Sequence, residues 1–342
     1  MEEHPPINKL QYLLVVVVAG FLSVLLSIIE SQPTIGQTVI ITVGAFLFLS
    51  LIFFLLVPTV NTDFVQRLKT QPRLVALLIL MVLFFPLLNW IYSVELFDAV
   101  LSYLIWYIFP TALMVVPLVI KHPKIKQIDF VFHITAVLVF AMGFDVRYTY
   151  VTVSGFDEMR YQFNALWVST LILLTLVLQI DDFVSKFNWR VTGRKLAISF
   201  LGLSAIMLIL LPPGLMTGFL SWNPILDAPE VILVGFIGIW LTIALPEEII
   251  ARGVVQHQFT ERLFSNESKF RKYWKWIVLI VASILFGSSH WNNTSEEFAW
   301  VYIILATIAG IVYGICWWFG GLFSAMLIHT LVDWIWGIFL KL

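Results

Sequence analysis

The chain has 342 residues, 60% of them hydrophobic and 12% charged, with a formal net charge of −1 and a mean hydropathy of +0.95. Soluble domains carry about 25% charged residues, so this composition excludes a soluble globular fold and makes the lipid bilayer the chain's first partner. The charges are segregated into loops, and no nucleic-acid partner is expected.

A hydrocarbon core of ~30 Å asks for about 20 apolar residues per helix. On that measure the chain reads as an all-α transmembrane bundle of about eleven spans, at residues 10–29, 36–57, 74–94, 97–119, 128–144, 162–180, 195–211, 230–256, 276–292, 299–318 and 321–340. The first apolar run, Leu10 to Ile29, is too long for a signal-peptide core and is followed by Glu30-Ser31-Gln32-Pro33 rather than a cleavage site, so it is expected to be retained. The seventh is short because Pro212-Pro213-Gly214 is expected to stop it. The single cysteine, Cys316, has no intrachain partner, which rules out a disulfide framework or a cysteine metal site.

Basic residues test the count, because Lys and Arg collect in cytoplasmic loops. Of the 20, 17 fall on one face of the proposed topology, and only Arg147, Arg160 and Lys341 fall on the other. The N-terminus is therefore expected in the cytoplasm, the C-terminus outside, and the protein in the cell membrane as a multi-pass chain. No soluble domain interrupts the pattern, although Tyr148 to Val153 in an outer loop has β propensity. Residues 1–194, about six spans, are expected to be a packing scaffold, and residues 195–342 hold the unusual polar groups.

Those groups are Glu247 and Glu248, His290, His329 and Asp333. A charge deep in a bilayer costs roughly 2.5 kcal/mol or more, so such a group is expected to be paired or to work. At a 1.5 Å rise per residue, His290 lies roughly 21 Å beyond Trp276, Glu247 about 20 Å beyond Thr260, and His329 and Asp333 roughly 10 and 16 Å beyond Leu322. All can meet in one layer near mid-membrane. His329 and Asp333, four apart, share a helix face, as do Glu248 and Arg252, which can form an intrahelical ion pair. Pro246 is expected to kink or restart its helix, placing both glutamates in a first turn whose free N–H groups would hold them.

Three motifs stand in order on successive apolar segments: Pro246-Glu247-Glu248-Ile249-Ile250-Ala251-Arg252 has the form Glu-Glu-x-x-x-Arg, Phe286 to His290 the form Phe-x-x-x-His, and His329 to Asp333 the form His-x-x-x-Asn/Asp. Together they resemble the CPBP family of intramembrane proteases, which includes the CAAX prenyl endopeptidases, over roughly residues 195 to 340. The resemblance implies a CPBP-like catalytic core over 195–342 that hydrolyses a peptide bond in a membrane-associated substrate. It implies that Glu247 and His290 activate water and that His329 and Asp333 steady the oxyanion or hold a metal, with Glu248 and Arg252 completing the site. The cofactor is then none or zinc, with Glu247, His290, His329 and Asp333 as ligands if a metal is bound. The prenyl proteases carry Asn at the last motif position where this chain has Asp333, so a prenylated substrate is not implied.

Two other classes fit the same residues. A non-proteolytic scaffold or immunity protein of this fold would tolerate loss of Glu247 and His290, and an ion-coupled transporter could use intramembrane Glu, His and Asp as a relay. The absence of inverted repeats counts against transport. Gly310 and Gly314 form a small-x-x-x-small face suited to close helix packing. His133 is read as a packed or interfacial histidine, and Asn292 and Asn293 as candidates for a cavity mouth.

Overall fold

The computed structural model describes residues 9–28, 35–93, 104, 108–119, 131–136, 139, 157–180, 182–225, 229–263, 271–291 and 293–341. The expected β-prone stretch at 148–153, and parts of the expected spans at 97–119 and 128–144, lie outside these residues.

In chain order the helices are α1 (Lys9–Ile28), α2 (Ile35–Leu56), α3 (Pro58–Thr70), α4 (Pro72–Ser93), α5 (Phe109–Val119), α6 (Asp157–Gln179), α7 (Phe183–Lys186) and α8 (Gly193–Met216). After the two-residue strand β1 (Ser221–Trp222), one helical rod runs through α9 (Pro229–Gly238), a π-helical segment π1 (Ile239–Ala244), α10 (Leu245–Glu248), a second π segment π2 (Ile249–His257) and α11 (Gln258–Leu263). α12 (Arg271–Ser288), α13 (Ala299–Phe339) and the strand β2 (Leu340–Lys341) complete the chain. Among the described residues, four helices are long and apolar enough to cross a membrane: Thr38–Leu56, Gly193–Met216, Val234–Glu261 and Ala299–Phe339. Shorter apolar helices cover Leu10–Val24, Arg73–Phe84, Ala165–Gln179 and Tyr273–Ser288.

The residues fall into two compact units, Met1–Tyr107 with Val151–Arg190, and Ile108–Tyr150 with Val191–Leu342. In the first, α2 is apolar on every side and packs against α1, α4 and α6. Trp167 donates its indole N–H to the Val82 carbonyl at 2.8 Å, tying α6 to α4, and Lys69 reaches the Ile180 carbonyl at 3.0 Å.

The second unit is built around α13. Its backbone is helical except at Gly321, where φ is 68° and ψ is −163°, a region open essentially to glycine alone. Sixteen residues of unbroken helix would span about 24 Å, yet the Tyr313 and His329 rings stack 4.8 Å apart. α13 therefore doubles back at Gly321 into a hairpin of two helices, at the point where the sequence divides spans ten and eleven. Gly202 of α8 sits in the groove of this hairpin, where a methyl group would meet Cys316 Sγ at 2.7 Å and Ile328 Cδ1 at 2.5 Å. β1 and β2 pair antiparallel, Ser221 with Lys341 and Trp222 with Leu340, which puts the end of α8 and the end of α13 at the same end of this unit.

Three local expectations are corrected. α8 continues through Pro212 and Pro213 to Met216, because proline's fixed φ is itself helical and what it removes is two backbone donors. The helix ends instead just before Gly218, whose φ is +72°. Pro246 does not restart the rod: Ala244 and Leu245 keep helical angles, and Leu245 N–H bonds to the Trp240 carbonyl five residues back. Widening to π geometry makes room for the ring, so the glutamates are not in a free first turn. Finally, α12 ends at Ser288, and His290 sits in the turn beyond it rather than inside a helix.

Candidate active site

All six residues singled out from the sequence lie in the second unit, on three segments: the rod from α10 into π2, the turn after α12, and the returning half of α13. Glu248 and Arg252 are the innermost pair. Arg252 Nε donates to Glu248 Oε2 at 3.0 Å, and both side chains are 0% exposed. Arg252 Nη1 reaches Gln256 Oε1 at 3.3 Å, Gln256 Nε2 donates to the Gly314 carbonyl at 3.1 Å, and the guanidinium lies over the Phe286 ring at 5.7 Å. A buried ion pair of this kind is costly unless its remaining donors and acceptors are engaged; here Nε and Nη1 are, while Nη2 is buried without a hydrogen-bond partner.

Its second oxygen holds a histidine. Glu248 Oε1 is 2.9 Å from His329 Nδ1, and with Arg252 on the other oxygen the carboxylate is the acceptor, so Nδ1 donates. His329 Nε2 then points the opposite way, 3.2 Å from Asp333 Oδ2 and 3.7 Å from Glu247 Oε2. The ring is clamped by Tyr313, stacked at an interplanar angle of 16°, and by the edge-on Phe286.

His290 is fixed by a different device with the same outcome. Its Nδ1 is 2.8 Å from the Phe286 carbonyl, which can only accept, so Nδ1 carries a proton. Nε2 faces Glu247 Oε2 at 4.0 Å. The ring lies between Phe286, at 4.8 Å, and Tyr302, at 5.1 Å.

Glu247 thus stands between the Nε2 atoms of two oriented histidines, and its Oε2 is buried without a hydrogen-bond partner. The Glu247 and Asp333 side chains are 28% and 33% exposed, against none for Glu248 and Arg252. The exposed set faces outward and the sealed set holds it. Anchored Nδ1 atoms with inward Nε2 atoms also occur in metal sites, but among the described residues no three His, Cys, Asp or Glu side chains converge to hold a metal.

Residues 229–335 match the family model for type II CAAX prenyl endopeptidase Rce1-like proteins. The match covers all three motifs and supports the resemblance read from them: this Rce1-like segment is similar to a protease family. It is narrower than the 195–340 expected, leaving α8 and everything before it outside. No curated protein and no solved structure matches the chain.

Four neighbours of the site were not singled out: Tyr302, Tyr313, Gln256 and the Gly314 carbonyl. A signal was present for the tyrosines. Eleven residues is close to three helical turns, so Tyr302 and Tyr313 share a face of α13 with Ala306, Ala309 and Gly310 between them. Gln256, four residues beyond Arg252, continues the stripe begun by Glu248. His133 is buried against Gln258 at 3.2 Å, and Asn293 N–H donates to the His290 carbonyl at 3.1 Å. Asn292 lies outside the described residues.

Proposed function

We propose that the chain is a multi-pass intramembrane endopeptidase of the cell membrane, with residues 195–342 as its catalytic core and residues 1–194 as a packing scaffold. The observation that carries this reading is the unpartnered Glu247 Oε2 between two histidine Nε2 atoms at 3.7 and 4.0 Å. A gap of 4.0 Å is too long for a direct hydrogen bond and suits a bridging water.

In the proposed reaction Glu247 takes a proton from that water while His290 Nε2 accepts its second hydrogen bond. The water oxygen bonds to the scissile carbonyl carbon, and the carbonyl π pair moves to oxygen. The resulting oxyanion develops on the side lined by His329 and Asp333, where a positioned donor is worth most. Glu247 returns its proton to the amide nitrogen, the oxyanion pair re-forms the carbonyl as the C–N bond breaks, and a carboxylic acid and an amine leave, the acid then passing its remaining proton to the amine or to water. Glu248 and Arg252 act at one remove, by fixing the His329 ring. The route uses no metal. The substrate is a membrane-associated peptide or protein, and nothing in the site assigns it a prenyl group.

The test compares new peptide N-termini in membranes holding the wild-type chain or Glu247→Gln. A set of fragments that depends on Glu247 is expected, and their formation should persist after dialysis against a strong chelator. Identical profiles would instead favour a non-proteolytic scaffold.

A further inference from the structure

The site as described leaves the oxyanion short of a donor. An ionised carboxylate only accepts hydrogen bonds, so Asp333 cannot supply one. His329 Nε2, the nearest alternative, is already 3.2 Å from Asp333. His290 Nδ1 is committed to the Phe286 carbonyl; Arg252 spends Nε on Glu248 and Nη1 on Gln256, and its unpartnered Nη2 belongs to a side chain with no exposure at all. A neutral donor at the cavity is therefore needed from another side chain.

Tyr302 is placed to be that donor. It projects from the first turn of α13, half-buried, with its ring 5.1 Å from the His290 ring at 60°. Its hydroxyl is hydrogen-bonded to the Asn293 side chain and lies within electrostatic reach of both Glu247 and Asp333. Asn293 is fixed in turn by its backbone bond to the His290 carbonyl, so one short turn sets both the imidazole and the phenol. A phenol that accepts from an amide keeps its own O–H free to donate.

We infer that Tyr302, seated by Asn293, donates the hydrogen bond to the tetrahedral oxyanion that Asp333 cannot supply; the inference rests on the proteolytic reading above. The phenol keeps its proton throughout, and no bond to it forms or breaks.

The test uses the purified full chain in nanodiscs and a peptide whose cleavage depends on Glu247, taken from the fragment comparison. Tyr302→Phe keeps the ring against His290 and removes only the oxygen. Its kcat should fall about 100-fold, the effect of deleting one oxyanion donor, with KM within about two-fold and melting temperature unchanged, the signature of an interaction made only in the transition state. Asp333→Asn offers an amide donor, so in that background the same change should cost less than about ten-fold. A Tyr302→Phe chain with kcat within about three-fold of wild type, or an equal loss in both backgrounds, would overturn the role of Tyr302 and leave the protease reading standing. If Asp333→Asn is itself inactive, the single-variant comparison decides. Failure to find any Glu247-dependent cleavage would remove the protease reading and this inference together.

Discussion

The two units bury polar groups in different ways. In the first, the buried polar residues among those described are neutral: Ser23, Ser50, Asn61, Ser169, Thr170 and Thr175. Where their bonds are seen they are short and local, as in Thr170 Oγ1 to the Leu166 carbonyl one turn back at 2.7 Å. In the second unit the buried set includes Glu248, Arg252, His290 and His329; Glu248 bonds to Arg252 on its own rod and to His329 on another helix, side chain to side chain. A hydroxyl that back-bonds to its own helix is nearly neutral for stability. A buried charge needs a partner and is costly to strand. The second arrangement is therefore the one that calls for a functional explanation.

The largest expected effect is on chemistry. Glu247→Gln keeps the shape of the side chain and removes the base, so cleavage should fall by about 10³-fold or more. Because Glu247 Oε2 has no hydrogen-bond partner to lose, the melting temperature should hold. A variant that unfolded instead would show Glu247 to be part of the structural cluster. Next comes Arg252→Leu, which strands the Glu248 carboxylate in a site with no exposure. Thermal or denaturant unfolding should register a loss of about 3–5 kcal/mol, and activity should fall with it because His329 loses its anchor.

Much of this site could be read from residue order. The i, i+4 pairs Glu248–Arg252 and His329–Asp333 meet as their spacing requires, since helical period fixes them wherever the helix goes. The turn at Gly321 was visible as a gap between two apolar runs. What could not be read was rotation: nothing in the order of residues says that His329 Nδ1 turns to Glu248 while Nε2 turns to Asp333 and Glu247. Rules of local conformation also misled at Pro246 and at Pro212-Pro213. The helix was expected to stop at Pro212-Pro213 and to kink or restart at Pro246; instead α8 runs on through both prolines to Met216, and the rod keeps helical angles at Ala244 and Leu245 within a π segment. Tyr302 was missed because a tyrosine three residues into a membrane helix looks like an interfacial anchor; its link to Asn293 exists only in three dimensions.

A smaller effect is expected where the two kinds of burial meet. Gly314 lets α13 approach the rod so closely that an added methyl would lie 2.7 Å from Gln256 Oε1 and 3.1 Å from Arg252 Nη1, and would also meet the Leu279 side chain. Gly314→Ala should cost about 1–3 kcal/mol by overpacking. Since the crowded atoms belong to the chain that holds His329, activity should drop by more than the lost folded fraction explains. An activity loss that merely tracks stability would show that Gln256 and Gly314 serve packing alone.

The smallest effect belongs to the first unit. Thr170 is fully buried, and its hydroxyl donates to a carbonyl in the preceding turn of its own helix. Thr170→Val keeps the branched shape and removes the hydroxyl together with the bond it made, so no donor is left stranded. The carbonyl keeps its ordinary helical partner. Unfolding should change by less than about 1 kcal/mol, and cleavage by the second unit should be unaltered within error. A loss as large as that of Arg252→Leu would mean that neutral buried hydroxyls in the first unit carry as much as the charged cluster, and the contrast between the units would then have no energetic basis.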